Sequence, residues 1–403
     1  MKVGTPGFVG ERLREAREAR GLSAVTLSEL TGISQQAISQ YQTGQASPGR
    51  EALRLIATAV NLPEHFFTLA PREMDNGAVF YRSMSSATKG ARARAERRFT
   101  WLRDIVNYLS QFVELPAANL PDLRLPSDPL LLSNDDVENA AEEVRRYWGL
   151  RDAPIANMVL LLENQGVVLA RDALGAESLD SLSTFVTSEQ RPYIVLGTDK
   201  GTPVRWRFDA AHELGHVVLH KNLDYNRLSR PEHFKMIEQQ AHRFAAAFLL
   251  PLGAFEDDLF GANLDNFSSL KLKWKTSIAM MIMRVSQANL ISETSQQRLW
   301  INYSRRGWKR SEPYDETMDI EEPRLLRRSF ELVLSHGAQT PEDVVSSLAL
   351  TATDIETLSG LTNGFLSDFA RVELRQDIGT RAFTEAKERQ AEVIPLGFRR
   401  RTT

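Results

Sequence analysis

The chain has 403 residues, 42% of them hydrophobic, a net charge of −3 and no cysteine. That length makes two or three domains with sizeable cores, and the near-neutral balance excludes a global field drawing the molecule onto nucleic acid or lipid. Without cysteine there are no disulfides, thiolate metal sites or cysteine nucleophiles, so a metal here needs histidine and carboxylate ligands. Residues Met1 to Arg20 lack the apolar core of a signal peptide, and the longest apolar stretch, about Phe244 to Phe255, is short and interrupted by Pro251. A cytoplasmic protein with no membrane partner is expected.

The first seventy residues read as helices. Arg12 to Ala19 is a charged amphipathic helix stopped at Gly21, and Ser23 caps a second, Ala24 to Thr31. Gly32 makes a tight turn, Ser34 caps a third helix over Gln35 to Tyr41, and a fourth covers about Arg50 to Val60. Two short helices around a glycine turn form a helix-turn-helix, whose second helix enters the major groove by its N-terminus. Its outer face offers Gln35, Gln36, Ser39 and Gln40, amides that suit adenine edges and a hydroxyl that suits a base or phosphate. A domain used only for protein contacts is the competing reading. Gly21-Leu22-Ser23, the run Ser34 to Tyr41, and Gly44-x-x-Ser47-Pro48 resemble the XRE family, which includes the lambdoid phage repressors. Over residues 8 to 69 the resemblance implies a five-helix DNA-binding fold working as a dimer.

Residues 70 to 84 read as a partly ordered connector containing Phe80-Tyr81-Arg82-Ser83. A basic run, Lys89 to Arg98, continues as a helix through Trp101, Ile105, Tyr108 and Phe112. Its arginines either reach DNA phosphates or, the preferred reading, form a solvated helix face. The proline-bearing stretch Leu115 to Ser133 then separates this helix from the region that follows.

Asn134 to Trp148 reads as a helix with Val137, Ala140, Ala141 and Val144 inward, and Met158 to Glu163 as another. Gly166 to Ala170 and Tyr193 to Leu196 read as short strands, an edge of which could hold an extended polypeptide by backbone pairing. Next comes His212-Glu213-Leu214-Gly215-His216. Histidines four apart lie one turn apart on one helical face and reach a single metal ion, with Glu213 close enough to take a proton from a water there. Glu238 lies on a second helix that Ile237, Ala241, Phe244, Ala245 and Phe248 pack against the first. Two histidines and a distant glutamate leave a fourth tetrahedral position open, as catalysis requires. A zinc that merely staples two helices is the competing reading, and retention of Glu213 argues against it.

The stretch from Arg207 to His220, followed by Glu238-x-x-Ala241-x-x-Phe244-Ala245-x-x-Phe248-Leu249-Leu250-Pro251, resembles the ImmA/IrrE metallopeptidases. These are gluzincin-like, and many cleave a repressor to switch genes on. The resemblance spans roughly residues 130 to 300 and implies that His212, His216 and Glu238 bind zinc with Glu213 as general base. His220 fits poorly as a third ligand on one helix and is read as supporting the site. His242 stands where gluzincins often carry Asp or Asn, a departure that leaves it a supporting residue. His233, in the loop before the ligand helix, is an oxyanion candidate.

Lys271 to Ser277 leads into a helix through Met280, Met281 and Met283 that ends near Asn289; the methionines read as core filler, and the stretch has helix-turn-helix character. Asn302 to Asp319 is polar and loop-like. Pro323 to Ser335, Pro341 to Ala349 and Ala352 to Gly360 read as a helical bundle for sensing, dimerisation or partner binding, and Arg399-Arg400-Arg401 as a disordered tail. The expected fold is mainly α with a small β-sheet (α+β), divided at 1–70 (helix-turn-helix), 71–130 (connector and basic helix), 131–310 (zinc peptidase) and 311–403 (helical domain). The expected function is a DNA-binding regulator whose zinc endopeptidase cuts a repressor, an antitoxin or the chain itself. The alternative is a regulator whose metal domain senses or binds without cutting.

Overall fold

The computed structural model describes residues 4–70, 80–81, 88–126, 128–175, 180–198, 201–221, 223, 230–367 and 394–395, with only the backbone at 80–81 and 394–395. Arg82, Ser83 and the Arg399-Arg400-Arg401 tail lie outside the described residues. The reader comprises α1 (Gly10–Ala19), α2 (Ala24–Thr31), α3 (Gln35–Gln42) and α4 (Arg50–Val60), then a 3-10 turn over Glu64–Thr68 where the resemblance implied a fifth helix. Ser23 and Ser34 accept the backbone N–H of Thr26 and Ala37, which starts α2 and α3 where the capping signals predicted. Between them Gly32 takes φ 69°, a left-handed conformation that a side chain would oppose.

A 21-residue helix, α5 (Lys89–Leu109), comes next in the chain, with β1 (Phe80–Tyr81) before it and β2 (Val113–Glu114) after it. Then come α6 (Asn134–Tyr147), α7 (Met158–Asn164), β3 (Val168–Asp172), β4 (Ser181–Val186) and β5 (Arg191–Gly197). The paired helices are α8 (Pro203–Leu219) and α9 (Pro231–Leu249), succeeded by α10 (Leu252–Asp257), α11 (Leu264–Trp274), α12 (Ile278–Gln287) and α13 (Glu293–Arg305). The C-terminal helices are α14 (Leu325–Ser335), α15 (Pro341–Leu348) and α16 (Ala352–Ser359), and β6 (Ile394–Pro395) pairs in parallel with β2. The fold is α+β.

The main sheet has the order β1-β4-β5-β3, with β4–β5 and β1–β4 antiparallel and β3–β5 parallel. Strand side chains alternate between faces, and here both faces are buried. Val168, Ala170, Leu182, Val186, Tyr193 and Val195 join one hydrophobic cluster, which continues through α5, α14, α15, α16 and the reader. Val167, Leu169, Ile194 and Leu196 join a second, with α6, α8, α9, α11 and α12. The sheet is thus a partition with the reader on one side and the histidine-bearing helix on the other.

Several expectations are corrected. Phe80–Tyr81 is a strand on the edge of β4 rather than connector, and β4 itself gives no clear strand signal in the sequence. The stretch around Lys271 is two helices, broken where Lys275 takes φ 51° and Ser277 caps α12. Helix α13 runs four residues into the polar stretch expected as loop. The basic run of α5 is no solvated face: Arg98 is buried, its Nη2 3.0 Å from Asp172 and its Nη1 3.1 Å from Asp354. Asp354 also takes a fork from Arg20 of the reader at 2.6 and 2.7 Å, and Arg97 pairs with Glu18 at 2.8 Å. Trp101 donates its indole N–H to Glu15 at 2.7 Å and packs edge-on to Phe66. Charge density alone does not reveal such partners, because they come from four separate parts of the chain.

Candidate metal centre and reader face

Helix α8 begins at Pro203, capped by Thr202, and is buried along almost its whole length from Val204 onward. Gly215 is where α9 crosses it. A β-carbon there would stand 3.1 Å from the Phe244 ring and 3.3 Å from the Ala241 backbone, so a larger residue would press the two helices apart by a few tenths of an ångström. The close crossing brings Glu238 of α9 to the two histidines of α8. His212 Nε2 and His216 Nε2 are 3.0 Å apart, and the Glu238 oxygens lie 3.5 Å from the first and 3.3 Å from the second. His212, Glu213 and His216 are fully buried, whereas 13% of the Glu238 side chain is exposed.

Hydrogen bonding fixes which nitrogen of His216 faces the cluster. Gln240 donates its amide to the carbonyl of Pro129 at 2.9 Å, which turns its own carbonyl oxygen to His220 Nε2, 2.9 Å away. That nitrogen must donate. Burial pushes the His220 pKa down to about 3, so the ring is neutral and its Nδ1 accepts from His216 Nδ1, 3.0 Å distant. With its Nδ1 engaged by His220, His216 turns its Nε2 to His212 and Glu238.

Two imidazole nitrogens and a carboxylate meeting this closely suit a shared cation. Burial also drives His212 well below its ordinary pKa, keeping it neutral, while Glu238, despite its own burial, is held low by the two histidines. Donor atoms about 2.0–2.1 Å from a tetrahedral zinc lie about 3.3 Å from one another. The three observed spacings bracket that value, so the residues fit such an ion.

Glu213 faces the sheet. Its Oε1 accepts from Ser181 Oγ of β4 at 2.5 Å. Burial pushes the carboxyl up, and His216 and the hydroxyls of Ser181 and Ser183 hold it down. His242 stands against His212, ring centroids 4.6 Å apart, and its nitrogen joins His212 and Glu238 in a group whose ligand atoms lie within 4.8 Å of one another. The Nδ1 of His212 makes no hydrogen bond among the described residues. His233 lies in the first turn of α9 rather than in a preceding loop, and five residues put it about 140° around that helix from Glu238.

Sequence reasoning does not find Ser181, Ser183 or Gln240. The serines give no strand signal of their own, and a glutamine inside an amphipathic helix carries none for a site.

On the reader, Gln35, Gln36 and Ser39 are exposed on α3 and Gln40 is half-buried, with Ile38 anchoring the helix below them. Among the described residues no helix is long and apolar enough to cross a membrane. Compared with known families, residues 162–286 match the peptidase M78 family, described as an IrrE N-terminal-like domain. Residues 9–65 match a helix-turn-helix domain of XRE type. The chain therefore joins an N-terminal helix-turn-helix to a peptidase-like module. No curated protein matches it.

Proposed function

We propose that the chain is a DNA-binding transcriptional regulator carrying a zinc-dependent endopeptidase that cuts a protein partner: a repressor, an antitoxin or the chain itself. The observation that carries this reading is the meeting of two imidazole nitrogens and a carboxylate at 3.0–3.5 Å beside the buried Glu213. In it His212, His216 and Glu238 hold zinc, and His220 and Gln240 set the His216 tautomer. When bound, zinc supplies a Lewis acid for the peptide carbonyl and acidifies water. Glu213, one oxygen fixed by Ser181, takes the proton of the attacking water and later passes it to the leaving amine. Gln35, Gln36, Ser39 and Gln40 read base edges and phosphates, and the chain acts in the cytoplasm, as a homodimer on its operator.

The division at 1–70, 71–130, 131–310 and 311–403 is proposed as a division of labour, since a single cluster joins the reader, α5 and the C-terminal helices. Glu213→Gln tests the peptidase. It should retain zinc by metal analysis yet lose the protein fragments that wild-type cells accumulate; if regulation is indifferent to it, the reading fails. Alanine at Gln35 and Gln36 should erase operator preference, and a wild type without preference would sink the reader's role.

One observation favours a second reading, a metal domain that senses or binds without cutting. His242 stands close enough to the cluster to act as a fourth protein ligand, which would close the site as structural zinc sites are closed.

A further inference from the structure

Beside the metal cluster lies a cavity of about 640 Å³ that neither zinc binding nor proton transfer uses. Its inner wall is Phe208 and His242, whose rings are 5.5 Å apart. The other face of that wall is the metal cluster, since the His212 ring lies 6.3 Å from Phe208 and 4.6 Å from His242. A group in the cavity is thus separated from a metal ligand by one layer of rings. Helices α12 and α13 supply the outer wall through Met280, Met283 and Trp300. The expectation that the methionines are core filler holds for Met281, which is fully buried, but Met283 is 42% exposed and lines this space with Met280.

The chemistry of the lining selects the occupant. Aromatic and thioether walls favour apolar groups, and unbranched methionines adapt to long or irregular shapes. The cation on the wall, Arg243, already pairs with Glu138 at 2.9 Å, so an acidic group gains little there. Beside a peptidase-like centre, such walls suit the apolar side chain of a polypeptide.

We propose that this cavity is the specificity pocket of the peptidase: it takes a long apolar side chain, such as leucine, methionine or phenylalanine, of the residue flanking the bond to be cut. The proposal rests on the peptidase reading, and its test separates the two. Zinc-loaded full-length protein is titrated calorimetrically with peptide hydroxamates that differ in one side chain: glycine, leucine, phenylalanine or glutamate. The phenylalanine and leucine compounds should bind about tenfold or more tighter than the glycine compound, with glutamate no better than glycine. In Met283→Lys, an exposed position that should tolerate the change, the phenylalanine-to-glycine ratio should fall to about one. A flat series in the wild type, or a ratio untouched by Met283→Lys, overturns the pocket while leaving the peptidase standing. Zinc-loaded protein that binds none of the hydroxamates overturns both.

Discussion

On one face of the sheet Arg98 is shut in with Asp172 and Asp354, and Arg20 reaches the same aspartate from the reader. On the other, His212, His216 and Glu238 are shut in with their potential ligand atoms turned on one another. Both faces bury ionisable groups beneath an apolar shell. The first supplies each carboxylate with an arginine from the chain, so its polar groups form a joint; the second gathers two imidazoles and a carboxylate with no lysine or arginine among them, so its polar groups form a site. The sign of the buried groups, more than their burial, separates a structural network from a binding one.

The largest expected effect breaks the joint. Arg98→Ala strands Asp172 in the interior and should cost about 3–5 kcal/mol in denaturant unfolding, with Arg98→Met plus Asp172→Leu recovering most of it. A loss below about 1 kcal/mol would mean the buried pair is not what binds α5 to the sheet. Next is the seam between the faces, where Glu163 accepts the N–H groups of Arg324 and Leu325, both at 2.8 Å. Burial pushes its pKa from 4.5 up to about 7. The folded state therefore binds the extra proton between those values, and stability falls as pH rises through that window. Glu163→Gln keeps an acceptor for both N–H groups, so it should flatten the slope and gain up to about 3 kcal/mol above pH 7. Parallel stability curves for the two proteins would contradict this.

Zinc sharpens the contrast from the other side. At about 100 times its Kd it should add about 2.7 kcal/mol to wild type and to Arg98→Ala alike, and nothing to Glu238→Gln, as read by thermal melts. Gain in the glutamine variant would place the ion elsewhere. The smallest effect tests the tautomer relay: Gln240→Leu should weaken zinc about 10–100-fold in chelator competition while the protein stays folded. Unchanged affinity would show that His216 needs no such guidance.

The helices of the reader are legible in the sequence because capping serines and left-handed glycines are local signals, read two or three residues at a time. The metal cluster is legible for a similar reason: His212 and His216 announce themselves by spacing, and Glu238 lies on an amphipathic helix whose apolar face is plain. Strand β4 is not, since Ser181 and Ser183 look polar until Glu213 is placed opposite them. The arginines of α5 read as solvent-facing because Glu18, Asp172 and Asp354 are up to 256 residues away in sequence. Partnership at that distance leaves no local pattern.

The clasp between α5 and the reader also bears on what happens if the two are parted. Phe66, edge-on to Trp101 in the intact chain, and Ala16 and Ala19 of α1 would lose their cover in a fragment of residues 1–70, and Glu15 would lose its indole donor. Such a fragment would carry an apolar face bare to water and should self-associate rather than stay dispersed. The reader is therefore a poor module for transplanting onto other proteins unless α5 travels with it.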